Sequence, residues 1–438
     1  MTAGTATPHA VRLLAGYHAL GRPAGLDDHL AQYGAPPLAT TGAALIQAVE
    51  ESGLTGRGGG GFPTGRKLRS VAAGRRSAVV VVNAAEGEPA SGKDRALLTV
   101  APHLVLDGAA LAAGAVGARE IVVCVHAERD SGEIPQADAR RGGTAALAGA
   151  VRRAVAERER ARLASVPIRV TAVPPRYVAS EETSLVRWID AGDARPFVTP
   201  PRPAERGVGG RPTLVSNAET FAQIALIARY GPAWFRSCGS QEAPGTALFT
   251  VSGAVARPGV VEAPLGTPVG EILRLAGGPS EPLQAVLAGG YGGTWLPPEL
   301  QDIPTTPSAF KAAGLALGPG ILIALPQRAC GVAESARVLA WLAAETAGQC
   351  GPCVHGLPAI AADFAEIAAC QVSTELYRRL DRRLSVIAGR GACRHPDGAV
   401  RFAVSALRVF GPHLRVHARA EGCLLARWPS VLPIPEEA

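Results

Sequence analysis

The chain has 438 residues, of which 47% are hydrophobic and 18% charged, and its formal net charge is +7. This length predicts about two to four domains. Mean hydropathy is only +0.15, no run of about 18 uncharged apolar residues occurs, and residues 1–8 lack the basic and then apolar pattern of a signal peptide. The composition argues against a transmembrane or secreted protein. It predicts a cytoplasmic location, with peripheral attachment to a membrane complex left open.

Positive charge is carried mostly by scattered arginines. The clusters Arg378-Arg379 and Arg382-Arg383 are more typical of a solvated helix face than of a nucleic-acid site, so we predict no nucleic-acid partner. The same clusters could instead dock an acidic electron-transfer partner.

At the start of the chain, residues 1–44 are expected to form an N-terminal arm with a short helix over about residues 10–20.

A glycine-rich stretch at residues 53–67 is the most distinctive feature of the chain. Glycine permits positive φ angles, so successive N–H groups can converge on one point. Such a nest suits a phosphate group, and Arg57 and Lys67 flank it with positive charge. We therefore predict an anion-binding loop. A flexible linker is the weaker alternative, because linkers rarely contain the Phe-Pro-Thr-Gly-x-Lys that ends this stretch.

The glycine spacing of Gly56, Gly58 and Gly61 formally matches the dinucleotide fingerprint. That fingerprint needs a strand before it and a helix after it. Residues 43–52 instead carry apolar side chains at helical spacing. The sequence thus predicts a helix followed by a glycine loop, and not an ordinary Rossmann turn.

Strands and helices alternate after the loop. Four consecutive valines within residues 77–83 predict a strand buried on both faces, as in a parallel sheet. Helices are expected at residues 103–116 and 144–162, and strands at 120–125 and 168–173. This alternation predicts a doubly wound α/β domain over residues 45–240.

Two acidic segments follow predicted strands. Glu86 and Glu88 come after the valine strand, and Glu181-Glu182 follows a later one. Ligands of α/β sheets bind at the carboxyl ends of the strands, so these carboxylates could read a ligand's hydroxyls and ring edges. Ordinary surface charge is the alternative. Asn217 is expected near the start of a further helix, where it or Ser216 would cap it.

The remaining chain predicts two smaller domains. Residues 245–328 suggest a β-grasp-like domain, with a hairpin over 247–252 and 259–262, a short helix over 267–275 and a strand over 321–325. Residues 329–438 predict a small helical bundle, because apolar residues recur at three and four positions. Its expected helices cover residues 332–346, 357–369, 374–388 and 399–416.

Six of the eight cysteines follow position 320, a distribution that favours metal binding over a secreted disulfide framework. Cys350 and Cys353 form a C-x-x-C turn, and Cys393 follows 40 residues later. Three sites are compatible with this pattern: an iron–sulfur cluster, a zinc ion or a redox dithiol. The dithiol is the least suitable, since thioredoxin-type motifs follow a strand and this one lies between predicted helices.

Together these motifs resemble the NADH-binding flavoprotein subunit of respiratory complex I and the related diaphorase subunits of hydrogenases and formate dehydrogenases. The similarity extends over residues 45–416 and keeps the family's order. The matching segments are residues 56–67, 83–89, 93–95 with 102–103, 181–183, 212–220 and 348–353. The resemblance implies a Rossmann-like FMN-binding domain, then a β-grasp, soluble-ligand-binding domain, then a helical bundle with an iron–sulfur motif.

The resemblance also implies the cofactors and the residues that hold them. NADH would stack on FMN, and electrons would pass singly to a 4Fe-4S or incomplete cluster. The implied cofactor-binding residues are Gly56, Arg57, Gly58, Gly59, Gly61, Phe62, Lys67, Asn83, Glu86, Glu88, Tyr177, Glu181, Glu182, Val215 and Asn217. Glu88 and Glu182 are also the implied catalytic residues. The implied cluster ligands are Cys350, Cys353 and Cys393.

This sequence departs from the family pattern at several positions. Ala347 occupies the first cysteine position of the cluster motif, which leaves three ligands and favours an incomplete or labile cluster. Cys330, Cys370 and His355 are substitutes by residue type, although Cys330 and Cys370 are each separated from the motif by a predicted helix. Ser70 and Arg202 stand where the family has aromatic residues, so we expect weakened NADH stacking.

Three functions are compatible with these observations. The first is an NADH dehydrogenase, or diaphorase-type, flavoprotein oxidoreductase that delivers electrons to a small iron–sulfur or ferredoxin-like protein, alone or within a larger oxidoreductase complex. The second is a ferredoxin-linked reductase of the same fold that does not use NADH. The third is a structural component that has lost its cofactors.

Overall fold

The structure, a computed structural model, describes residues 11–38, 42–127, 144–419 and 422–435. The helices are α1 Ala15–Leu20, α2 Leu26–Tyr33, α3 Ala43–Ser52, α4 Thr64–Ala72, α5 Lys93–Val100, α6 Pro102–Val116, α7 Thr144–Arg160, α8 Glu182–Ala191, α9 Ala218–Arg236, α10 Val269–Leu275, α11 Pro307–Ala312, α12 Gly331–Ala344, α13 Leu357–Ala368, α14 Thr374–Ile387, α15 His395–Val409 and α16 Gly411–His417. The strands are β1 Ala78–Ala84, β2 Ala118–His126, β3 Ile168–Val173, β4 Thr213–Asn217, β5 Thr246–Gly253, β6 Gly259–Pro264, β7 Leu283–Ala288, β8 Thr294–Leu296 and β9 Ile321–Pro326.

The first domain contains a parallel sheet of order β3-β2-β1-β4. The four valines of β1 are fully buried. Val80 and Val82 pack with the core that includes α6 and α9, whereas Val79 and Val81 pack with the core that includes α8. Successive side chains of a strand point to opposite faces, so helices on both sides explain the unbroken apolar run. The α/β expectation is confirmed.

Helices α6 and α9 approach each other closely in this domain. A Cβ placed on Gly108 of α6 would lie 1.7 Å from the carbonyl oxygen of Phe221 on α9. Only glycine fits such a contact without a shift of the backbone. Gly108 therefore allows α6 and α9 to pack closely on one face of the sheet.

The predicted arm is bound to the rest of the chain in its described part. The carboxylate of Glu262 on β6 accepts hydrogen bonds from the backbone amides of Arg12, Leu13 and Leu14 at 2.9–3.1 Å. His29 Nε2 lies 2.8 Å from Asp107 Oδ2 on α6. The arm therefore packs on both of the first two domains; residues 1–10 lie outside the described residues.

The second domain is a mixed sheet of order β6-β5-β9-β7-β8. β5 and β9 are parallel, and the other pairs are antiparallel. The short helix α10 packs its Val269, Ile272 and Leu273 into the core of this domain. The β-grasp expectation is confirmed, although β7, β8 and α11 were not predicted from the sequence.

The helical region differs from its prediction at one point. The helix expected over residues 399–416 is two helices, α15 and α16, separated at Phe410. Pro412 follows Gly411 at the start of α16. Proline inside a helix removes a backbone donor and clashes with the preceding turn, which explains the break. Elsewhere in the chain, α2, α4, α5, α8 and β4 were also not predicted.

Across the described ranges, no single helix is both long and apolar enough to cross a membrane; by length and composition alone, one bent pair, α5 with α6 at 97°, passes the test.

Candidate functional site

The strand order places the site. β1 is followed along the chain by β2 and β3 on one side, whereas β4 lies on its other side. Ligands of open α/β sheets bind outside the carboxyl ends of the strands where the order reverses. Asn83 and Asn217 are paired neighbours at the ends of β1 and β4. Two of the predicted site residues, 134 positions apart in sequence, therefore meet at this switch point.

The glycine loop follows α3, as the sequence predicts, and leads into α4, which was not predicted. Thr55 and Pro63 form an antiparallel bridge that closes it, and the Gly56 amide donates to the Phe62 carbonyl at 2.9 Å. Gly59 and Gly61 have φ angles of +97° and +58°, which residues other than glycine rarely adopt. The face of residues 58–61 is exposed, and Cβ atoms at Gly60 or Gly61 would meet no protein atom within 4 Å.

Phe62 and Gly58 complete the accessible surface of this loop. The Phe62 ring is 45% exposed. A Cβ on Gly58 would lie 3.4 Å from the Cβ of Asn217. The loop thus lies directly beside the switch point and presents an open backbone surface and one aromatic ring to a ligand.

The two basic residues of the loop have different surroundings. Arg57 is buried, and its guanidinium donates to the carbonyls of Pro244 and Thr246 at 3.3 and 3.2 Å. Burial lowers the Arg57 pKa, which Glu219 partly offsets. Arg57 therefore links the loop to the second domain. Its expected role as a ligand-binding residue stays a prediction.

Lys67 lies on α4, beside the loop. Its Nζ donates to the Val215 carbonyl at 2.7 Å and pairs with Glu182 Oε1 at 2.8 Å. An ammonium group has three N–H donors, so one remains for a ligand. These contacts bring together three residues that were predicted from separate segments of the sequence, with Val215 contributing its backbone oxygen.

A buried ionic network supports Asn217. Lys93 is 1% exposed, and its Nζ lies 2.7 Å from Asn217 Oδ1, 2.9 Å from Asp94 Oδ1 and 3.0 Å from Glu219 Oε2. Burial opposes its charge, but the two carboxylates raise the Lys93 pKa above its ordinary value. Lys93 and Asp94 were not among the predicted site residues. The sequence did contain an indication of them, because the Lys93-Asp94-Arg95 segment is one of those that match the family. No role in the site was predicted for this segment.

The four predicted glutamates are not equivalent. Glu86 accepts the amides of Asp94 and Arg95 at 3.0 Å and so caps α5. Glu181 caps α8 through the Thr183 and Ser184 amides at 2.8 and 3.0 Å. A carboxylate at a helix N-terminus satisfies free N–H groups and the helix dipole. These two residues organise the ends of the helices around the site.

Glu88 lies at the boundary with the second domain. Its Oε2 accepts the Tyr291 amide at 3.0 Å, and the Tyr177 hydroxyl also hydrogen-bonds to its carboxylate. Burial raises the Glu88 pKa to about 8, because desolvation outweighs these hydrogen bonds. Tyr177 packs edge-to-face on Trp341 of α12, with ring centroids 5.4 Å apart. This contact continues the site toward the helical region.

The raised Glu88 pKa predicts a pH dependence of stability. Between the ordinary pKa of about 4.5 and the folded value of about 8, the folded state binds the extra proton, so the free energy of unfolding falls as pH rises, by up to about 1.4 kcal/mol per pH unit. Glu88→Gln mimics the protonated form and should flatten this slope. Denaturant unfolding at pH 5–8 measures it, with exposed Glu299→Gln as the control. If the free energy of unfolding depends on pH equally in the wild type and in Glu88→Gln, the raised pKa is not that of Glu88.

The three predicted cluster cysteines lie together in the helical region. Cys350 and Cys353 are in hydrogen-bonding contact through their thiols, and Cys393 interacts electrostatically with both. Burial, and then Cys350 and Cys393, raise the Cys353 pKa to about 12. A metal that binds here must displace these thiol protons, and the mutual proximity of the three sulfurs is what suits a shared metal centre. The residues present therefore fit three ligand positions of a cluster, while Ala347 occupies the fourth.

Three residues were considered as substitutes for the fourth cluster ligand. The two cysteines among them contact His417. Cys330 Sγ lies 3.2 Å from His417 Nε2, and Cys370 Sγ lies 3.5 Å from His417 Nδ1. His355 is exposed on the short helical turn Pro352–Gly356. The Gly348 turn, with φ +64°, separates Ala347 from the C-x-x-C segment.

An α/β domain with a phosphate-type glycine loop at its switch point, a β-grasp domain and a helical region with clustered cysteines define a flavin and iron–sulfur oxidoreductase. Family models match all three parts: the Nuo51 FMN-binding domain at residues 49–226, the SLBB domain at 248–294 and the NADH-ubiquinone oxidoreductase-F iron-sulfur binding region at 333–417.

Individual relatives agree with these matches. The F subunit of NADH-quinone oxidoreductase from Streptomyces coelicolor is 33% identical over 387 residues, covering 86% of this chain and 84% of the relative. The corresponding protein of Mycobacterium bovis is 32% identical over 395 residues, covering 86% and 85%. The chain belongs to the family of NADH-quinone oxidoreductase F subunits.

A solved structure extends the similarity to three dimensions. The crystal structure of an NAD+-reducing [NiFe]-hydrogenase in the air-oxidized state superposes with a TM-score of 0.79 at 30% sequence identity. The match covers 95% of this chain and 68% of the hydrogenase chain. The resemblance inferred from the motifs is thereby confirmed.

Proposed function

We propose that this protein is an oxidoreductase that accepts electrons from NADH with FMN as cofactor and delivers them through an iron–sulfur cluster to a protein partner. One observation carries the proposal. The Tyr177 amide, in the segment that leads to the Glu182 paired with Lys67, donates to Glu345 Oε2 at 2.8 Å, shortly before the C-x-x-C segment. Burial, and to a smaller extent the charge of Glu181, raise the Cys393 pKa to about 11, so the loop side and the cysteine side of the site adjoin.

The residues of the first domain fit a flavin phosphate and ring. When bound, FMN supplies the exchange between two-electron and one-electron chemistry. The open backbone of residues 58–61 allows close approach of a ligand, and Lys67 supplies a positive charge and a free donor. Asn83 donates to the Ser180 carbonyl at 2.8 Å, which ties the end of β1 to the segment before α8. These contacts fix the site before a ligand arrives.

Glu88 and Glu182 are the proposed catalytic residues. With a pKa of about 8, Glu88 holds its proton near neutral pH and could exchange it. Glu182 is 35% exposed while paired with Lys67. Its carboxylate would repel the 2′-phosphate of NADPH and favour NADH. Cofactor preference of Glu182→Gln, measured as the ratio of kcat/KM values, tests this role.

A weakened nucleotide pocket follows from the missing aromatic residues. Ser70 and Arg202 are exposed, and Phe62 is the remaining aromatic of that group. An aromatic stack contributes on the order of 1 kcal/mol, or several-fold in affinity. We expect Phe62→Ala to weaken NADH binding several-fold and Ser70→Phe to strengthen it, with flavin content unchanged. If the Arg202 guanidinium stacks on the nucleotide, Ser70→Phe would strengthen NADH binding by less. Rapid flavin bleaching by micromolar NADH in the wild type would contradict the weakened pocket.

The visible spectrum of the purified protein tests the function. Flavin bands at about 370 and 450 nm, bleached by NADH under anaerobic conditions, are the expected result. Bleaching by reduced ferredoxin alone would indicate the ferredoxin-linked alternative, and a colourless protein after reconstitution with FMN would indicate a structural role. The family matches favour neither alternative.

We propose both a larger assembly for this chain and a direct electron acceptor. The relatives are named as parts of larger oxidoreductases, and we infer that this chain also works in a complex. A small iron–sulfur or ferredoxin-like protein is the proposed direct acceptor. Binding of such a protein, and its reduction only when NADH is present, would support this assignment.

A further inference from the structure

A second group of metal-ligand side chains lies in the helical region. Cys330, His413, His417 and Cys423 each offer one ligand atom, and these atoms all lie within 4.8 Å of one another. The two sulfurs are 3.9 Å apart, His417 Nε2 is 3.2 Å from Cys330 Sγ, and His413 Nε2 is 3.1 Å from Cys423 Sγ. The proposed cluster cysteines are not members of this group.

We propose that these four side chains bind a structural zinc ion. Zn²⁺ prefers four tetrahedral ligands, with Zn–S of about 2.3 Å and Zn–N of about 2.0–2.1 Å. Tetrahedral ligands at such distances stand about 3.3–3.8 Å from each other. The observed sulfur–sulfur distance of 3.9 Å already matches, and two nitrogen–sulfur distances, of 3.1 and 3.2 Å, need to open by only a few tenths of an ångström. The other pairs of ligand atoms lie within 4.8 Å, so they need to close by at most about 1.5 Å.

The chain arranges these ligands from three separate segments. Cys330 is the N-cap of α12, and its sulfur accepts the Ala333 amide at 3.3 Å, a contact that favours a thiolate. His413 and His417 are four residues apart on α16, so they lie on one helix face. Cys423 follows that helix and is 8% exposed.

His417 has the orientation of a metal ligand. Its Nδ1 lies 3.0 Å from the Ile367 carbonyl, which fixes the proton on that nitrogen and leaves Nε2 unprotonated toward Cys330. Metal-ligating histidines usually have their second nitrogen held in this way. The ring is fully buried, so its position does not depend on contact with solvent.

Charge balance also favours zinc. Binding of Zn²⁺ releases the two thiol protons to solvent, and two thiolates with two neutral imidazoles then give a site of zero net charge. A neutral group suits this buried position, where an unpaired charge would be costly. A single ion fits better than a second iron–sulfur cluster, because the atoms of a cluster would separate the four ligands further.

The position of the site suggests what it stabilises. Cys330 lies between β9, the last strand of the second domain, and α12, the first helix of the helical region. The ion would fasten the segment after α16 to this junction. Zinc bound here stabilises the folded state by its binding free energy, so chelation should lower the unfolding temperature without removing flavin.

Metal analysis of the full-length protein tests the proposal. We expect about one zinc per chain after purification under reducing conditions, in addition to any iron. Cys423→Ser and His417→Ala should lose most of it. Cys370→Ser should keep it, because Cys370 lies beside Nδ1 of His417 and not beside the proposed ligand atom Nε2. Zinc content unchanged in Cys423→Ser, or lost equally in Cys353→Ser, would overturn the assignment.

A second measurement does not depend on whether the variants fold. Apoprotein titrated with Co²⁺ should develop the visible bands of a tetrahedral cobalt–thiolate site at about one equivalent. Zinc should then abolish them. Absence of these bands, or a Cys330–Cys423 disulfide found by mass spectrometry in protein kept reduced throughout, would show that the group is not a zinc site.

Discussion

Gly58→Val should purify as a folded protein that has lost its flavin. The Gly58 φ angle is not in the left-handed region, unlike those of Gly59 and Gly61, so valine does not strain the backbone. Its Cβ would lie 3.4 Å from Asn217 Cβ, and its methyl groups would cover the exposed backbone beside the switch point. Overpacking of this kind costs about 1–3 kcal/mol, and the middle of that range is equivalent to roughly a 30-fold loss of affinity.

The flavin-to-protein ratio and the Kd for added FMN measure this effect. Gly259→Val on β6 is the matched control, because its Cβ meets no atom within 4 Å and valine suits a strand. The control should retain stoichiometric flavin and an unchanged unfolding temperature. Stoichiometric flavin in Gly58→Val would show that the loop is not the flavin site.

Cys353→Ser should lose most of the iron bound after anaerobic reconstitution. Its thiol is 3% exposed and contacts Cys350, and a hydroxyl does not replace a thiolate as an iron ligand. Ala347→Cys should have the opposite effect and raise both iron content and stability to air, because it supplies a fourth thiolate next to the Gly348 turn.

Iron analysis and electron paramagnetic resonance measure both changes. Cys238→Ser is the control, since Cys238 lies after α9 in the first domain and should not alter iron. Four irons per wild-type chain, lost on substitution of Cys330 or Cys370, would contradict the incomplete cluster. Zinc measured in the same samples separates this site from the one formed by Cys330, His413, His417 and Cys423.

Sequence periodicity correctly predicted the strands and helices that are buried on all sides, because their apolar runs are long and uninterrupted. The valine run of β1 and the apolar helix α6 were located within one or two residues. Short helices such as α4 and α8 were missed, since Lys67 and Glu182 were considered only as site residues. Pro412 was present in the sequence, but the apolar pattern on both sides of it concealed the break between α15 and α16.

The sequence by itself determined the domain order, the glycine loop and the residue types available for chemistry, because glycine runs, acidic segments and C-x-x-C turns are local patterns. Only the tertiary structure decided which of them meet. It turned Arg57 into the second domain, placed Lys93 beneath Asn217, and brought Cys330 to His417 across 87 residues. Such contacts depend on strand order and helix packing, which join residues distant in sequence and leave no periodic signal along the chain.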